Sequence, residues 1–218
     1  KVRKIEIFDD NSLRNKNSKF NEFYESLLSN KFKNDRDAAS ALYECSPTDD
    51  KYRQLKSRFR KRLLNTLFFL DINLPSTSSY DRAYFSCNKD WTLVKILESN
   101  KADLTSTALA RQILTTALKY KFSDTIVDCA RLLRKNAASI GDTKNFEVYH
   151  NHITLYTKIM EADMQAEELL QRVIMIYKTT LEIDAEEAEA IDGYANKLVA
   201  LSESFESPVI LFNMYLVW

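Results

Sequence analysis

His150 and His152 are the only histidines in the chain, and the string His150-Asn151-His152 is the first place to look for a metal. On a helix, residues two apart point about 200° away from each other, so one regular helix cannot offer both to the same ion. The pair therefore reads as surface or half-buried histidines, outside the ββα setting that a nuclease of this signature needs. Nucleophilic chemistry has no better footing. No serine lies in a glycine-flanked elbow, and Cys45, Cys87 and Cys129 have no histidine partner in a recognisable signature. Carboxylates are plentiful at Glu182, Asp184, Glu186, Glu187, Glu189 and Asp192, but they crowd an expected helix start, where the dipole favours negative charge. A hard-cation loop built from them would lack its glycine turn. The expectation is a chain without catalytic, metal-binding or cofactor-binding residues, and so not an enzyme.

A basic run is the strongest candidate for function. Lys51, Arg53, Lys56, Arg58, Arg60, Lys61 and Arg62 place seven cations in twelve residues, with Tyr52 and Phe59 between them. Projected on a helix, Arg53, Lys56, Arg60 and Lys61 gather away from the apolar stripe and form a candidate partner-binding surface. Arg58 and Arg62 fall closer to the stripe and are expected to snorkel over it. Three readings stay open: a solvated face or internal ion-pair seam, a docking surface for an acidic protein, and a track for a phosphate backbone.

The elements that carry these residues are helical. A chain of 218 residues with 45% hydrophobic content can bury a sizeable core. Two glycines and three prolines are far too few for the turns of a β-rich fold, for a Walker loop or for a dinucleotide fingerprint. The 31 basic and 31 acidic residues balance, yet residues 1–62 carry 16 basic against 10 acidic residues and residues 161–206 carry 3 against 12, a polarity that could orient a partner. Three cysteines without a C-x-x-C pair suit a reducing compartment. Without a secretory signal, an 18-residue apolar run or a lipidation motif, the chain is expected to be cytoplasmic and off the membrane.

Apolar residues recur at three- and four-residue steps nearly throughout. Ser46 can cap a helix with Pro47 at its first position, and Tyr52, Leu55, Phe59, Leu63, Leu67 and Leu70 then form a stripe that should end near Leu74-Pro75. Shorter helices are expected over Leu13–Leu28 and Asp35–Cys45. Further helices should start near Tyr80, Thr105, Ser123, Thr143, Asp163, Asp184 and Ser207. Short connections force each to run back along its neighbour. Residues 164–183 carry apolar side chains on more than one face, as suits a helix flanked on both sides. Gly193, inside the stripe Ala188, Ile191, Ala195, Leu198, Leu201 and Phe205, suggests a close helix-to-helix approach.

The segment from Ile113 to Leu133 resembles a degenerate tetratricopeptide repeat: Ala117 stands at the family's small residue, Tyr120 at its tyrosine and Cys129 at its alanine. The tryptophan position is Ile113, the closing proline is absent, and the next helix pair, Lys144 to Ile183, exceeds the family's unit of about 34 residues. The likeness covers residues 105–206. It implies an all-α fold of antiparallel helix pairs stacked as an α-solenoid, a right-handed superhelix whose concave face binds proteins or peptides.

Residues 1–79 are thus expected to form an N-terminal helical region with the basic amphipathic helix, continuous with tetratricopeptide-like repeats over 80–218. The apolar run from Val209 to Trp218 looks cut from a longer chain and could support self-association. The expected function is that of a non-catalytic scaffold for a protein or peptide partner within a larger regulatory or assembly protein. The alternative is a nucleic-acid-associated regulator using residues 51–62.

Overall fold

A computed structural model describes residues 18–67, 78–180 and 182–218, and every regular element among them is a helix. The chain divides into two compact units, Lys1–Leu74 and Pro75–Trp218.

In the first unit, α1 (Lys19–Leu28) begins at Ser18, whose hydroxyl accepts the Asn21 amide at 3.2 Å. Asn34 caps α2 (Asp35–Tyr43) in the same way. The third helix, α3 (Asp50–Leu67), starts later than the Ser46-Pro47 pattern predicts. Ser46 bonds instead to the Thr48 hydroxyl at 2.7 Å, residues 46–49 close a turn, and the Asp49 carboxylate takes the Lys51 amide at 2.9 Å. Asp49 lies nearer the first free amides and carries the charge that the helix dipole rewards, so it displaces serine from the capping role.

Rings dominate this unit's core. Phe59 lies 5.0 Å from Phe23 and 5.3 Å from Phe20, and Tyr52 and Leu55 are each 1% exposed beside Ala39 and Leu42. Such tilted pairs add about 1 kcal/mol each to the burial of their area. The expected stripe is buried at Tyr52, Leu55 and Phe59, whereas Leu63 is 37% exposed; the side chain of Leu67 lies outside the described residues. Leu70 and the stop at Leu74-Pro75 lie outside the described residues.

The second unit holds α4 (Ser79–Ser99), α5 (Asp103–Tyr120), α6 (Ser123–Ile140), α7 (Thr143–Thr179), α8 (Ala185–Ser204) and α9 (Pro208–Val217). Asn100 to Ala102, Lys121-Phe122 and Gly141-Asp142 turn α4 through α7 back and forth, each helix packing on the one before it. With few glycines to spend, the chain places Lys101 and Lys121 in the left-handed region beside Gly141, at φ 59°, 59° and 72°. Small side chains set the spacing of this layer: Ala110 and Ala117 of α5, and Cys129 and Ala130 of α6, are fully buried among Val94, Ile113, Ile126 and Leu133. Each fully buried Leu or Ile contributes roughly 1.5–3 kcal/mol.

Three expectations fail in this unit. No helix starts at Asp163; residues 143–179 are one unbroken helix, about 55 Å long at 1.5 Å per residue. Nothing between Thr143 and Thr179 is a glycine or proline, and Asp163 points inward instead of capping. Nor is α7 covered on both sides. Ala162, Ala166, Leu169 and Val173 are buried against α8 and α9, while Met164, Ile174, Met175 and Tyr177 are about half exposed. Finally, a β-carbon at Gly193 would meet no atom within 4 Å, so no close approach explains that glycine. Among the described residues no helix is long and apolar enough to cross a membrane.

Candidate functional site

The basic run lies on α3, and its members divide. Lys56 forms an ion pair with Asp35 at the start of α2, and Arg53 reaches Asp50 at 3.3 Å. The Asp35 carboxyl also accepts the Tyr52 hydroxyl at 2.9 Å, and the Lys56 and Tyr52 hydrogen bonds hold it below its ordinary value. The same carboxylate, after burial, pushes the Tyr52 phenol up to about 12. Arg53 and Lys56 are therefore engaged within the unit, whereas Arg60 and Lys61 are exposed, with no carboxylate among the described residues within 4 Å. Arg62 covers the Phe20 ring at 4.8 Å, as expected of a snorkelling arginine. Arg58 is exposed.

The residues first weighed for chemistry stay apart. His150 bonds through Nδ1 to Arg134 at 3.1 Å and stacks on Phe146, while His152 lies near Tyr156. Asp184 and Glu187 form a reciprocal capping box at the start of α8, which accounts for the centre of the acidic run. No three His, Cys, Asp or Glu side chains among the described residues converge as a metal site. Burial pushes the Cys87 thiol up to about 11 and the Cys129 thiol to about 12, so both remain protonated, weak nucleophiles at neutral pH.

A different constellation emerges in the second unit. Asp163, only 6% exposed, projects from the middle of α7 and accepts two hydroxyls: Ser123, the first residue of α6, at 2.6 Å, and Ser207, the cap of α9. Ser207 in turn accepts the Val209 amide at 3.1 Å. Beside this knot, Lys121 forms an ion pair with Glu206. One carboxylate thus ties the α5–α6 turn and the α8–α9 turn to the same point on α7.

Above the knot opens a hollow of ≈ 550 Å³ framed by α4, α6, α7 and α9. Tyr80, Tyr84 and Phe85 of α4 and Phe122 wall one side, with Phe122 edge-on to Tyr80 at 5.0 Å and to Tyr84 at 5.3 Å. Met160, Met164 and Glu167 form the α7 side. A second hollow of ≈ 540 Å³ shares Tyr80, Asp81, Glu167 and Val209 and runs on to Phe212 and Asn213. Together they make a trough with aromatic and thioether sides and the carboxylates of Asp81, Asp124 and Glu167 on its rims. Burial raises the Tyr80 phenol, and the neighbouring carboxylates of Asp163, Asp124 and Asp81 add to the rise. A smaller hollow of ≈ 330 Å³ between α5, α6 and α7 is lined by Asn136 and Asn145, which bond to Thr107 and Asp142.

Sequence reasoning missed the trough because its walls come from helices far apart in the chain, with Tyr80 at one end and Asn213 at the other. One signal was present. Ile159, Ala162, Ala166, Leu169 and Val173 mark the inner face of α7, and Asp163 lies on it as a lone acid. No protein-family model, no curated protein and no solved structure matches this chain.

Proposed function

We propose that the chain is a non-catalytic helical scaffold of tetratricopeptide-like kind that holds a protein or peptide partner in the α4–α7–α9 trough. The carrying observation is the trough itself: exposed aromatic and methionine side chains on rigid helices form an adaptable apolar surface, and exposed carboxylates supply orientation. The short turns between α4 and α7, and the buried Ala117, Cys129 and Ala130 at the α5–α6 contact, favour a repeat-like stack.

Screening a panel of immobilised peptides against the whole chain tests this reading. At least one peptide should bind saturably with a Kd below about 1 mM, and Tyr84→Ala or Met164→Ala should weaken it by roughly tenfold. If no peptide binds, or if both variants bind like the parent, the trough is not a docking surface.

The exposed cations Arg58, Arg60 and Lys61, with no carboxylate within 4 Å among the described residues, favour a second reading, contact with nucleic acid along α3. Oligonucleotide affinity should then fall steeply with salt and vanish when Arg58, Arg60 and Lys61 are reversed to Glu. Absence of binding at low salt removes it.

A further inference from the structure

The trough is apolar on its walls and anionic on its rims, and this combination selects among partners. Asp81 and Asp124 are exposed, and among the described residues their carboxylates receive only local hydrogen bonds from Ser78 and Thr125. Glu167, also exposed, accepts no hydrogen bond among the described residues. The one lining cation among the described residues, Lys121, is held by Glu206. An anionic ligand would therefore meet three carboxylates and, among the described residues, no available counter-charge, and a purely apolar one would bury them at a cost. A cation relieves both problems. Tyr84 and Phe85, 38% and 53% exposed, offer ring faces that attract a cationic head, and Met160 and Met164 offer a surface for an aliphatic stem.

The shape argues for a chain segment over a small amine. Two hollows joined through Tyr80, Asp81, Glu167 and Val209 form a run of space, not a closed cage around one ammonium group. We propose that the trough seats a lysine- or arginine-bearing peptide segment of a partner protein, its cationic heads received by Asp81, Asp124 and Glu167 and its stems lying on Met160 and Met164. The proposal rests on the scaffold reading and names the partner's chemistry.

Fluorescence anisotropy with the whole chain tests it, using a short labelled peptide alternating Lys, Arg and Ala, a Glu/Ala peptide of equal length, and free spermine. The basic peptide should bind, and the acidic one should not. Removing three charges isosterically with Asp81→Asn, Asp124→Asn and Glu167→Gln should weaken the basic peptide by about tenfold or more. Removing three exposed charges elsewhere with Glu182→Gln, Glu186→Gln and Glu189→Gln should change it by no more than about twofold. Should the first triple variant misfold, Glu167→Gln alone still reads the effect, at an exposed side chain with no hydrogen bond to lose among the described residues.

Equal loss in both triple variants would mean diffuse attraction and overturn the proposal. Spermine binding as tightly as the peptide would also overturn it, in favour of a free polyamine. If basic peptides fail while another peptide binds and is lost with Tyr84→Ala, the cation assignment falls and the scaffold reading survives. If nothing in the panel binds, both fall.

Discussion

Each unit is tied together by an aspartate that gathers two side chains from elsewhere in its fold, and the two sites solve the problem differently. Asp35, at the start of α2, takes the Tyr52 hydroxyl and the Lys56 ammonium from α3, and its side chain is 52% exposed. Asp163, in the middle of α7, takes the Ser123 and Ser207 hydroxyls while almost wholly buried and without a cation among the described residues. Water and salt compete for the first arrangement; the second is shielded from both. A net charge held only by neutral donors is worth more as geometry than as attraction, since what it secures is the position of two turns.

Substitutions separate the two. Asp163→Ala strands two buried hydroxyls and leaves a void, and should lower unfolding stability by about 2–3 kcal/mol in urea titrations. Asp163→Asn keeps the shape and one acceptor, and should cost about half as much; equal losses would show that charge, not geometry, holds the junction. Ser207→Ala removes both a donor to Asp163 and the α9 cap, for about 1–2 kcal/mol.

Asp35→Ala should cost about 1 kcal/mol at low salt and less in high salt, where the Lys56 pairing is screened and the Tyr52 hydrogen bond remains, whereas the Asp163 variants should be insensitive to salt. The folded carboxyl of Asp35 titrates below its unfolded value, so its contribution is whole above the ordinary 3.8 and disappears as pH falls through the folded value. The gap between parent and Asp35→Ala should accordingly close in acid, and a gap that widened there would contradict the Lys56 pairing. Gly193→Ala touches neither aspartate, enters open space and should raise stability by about 0.5–1 kcal/mol. A loss there would restore the close approach that the packing denies.

Most of the helix boundaries were legible because they are local. Asp184 and Ser207 mark starts through carboxylate or hydroxyl chemistry within one turn of the chain. The misreading at Asp163 has the same origin turned around: an acid after an apolar stretch looks like a cap until its partners, 40 and 44 residues away, are known. The basic helix was visible as a run of cations, but the pairing of Lys56 with Asp35, 21 residues earlier, was not. The trough was least legible of all, since no window of sequence joins Tyr80 to Glu167 and Phe212.

The unbroken course of α7 has a mechanical meaning. Its first half lies along α6, its second half carries α8 and α9, and Met160, Met164 and Glu167 occupy the span between. A rod without a joint transmits tilt from one end to the other, whereas a hinge at Asp163 would have absorbed it. Whatever leans on the middle of this beam is therefore felt at both of its ends.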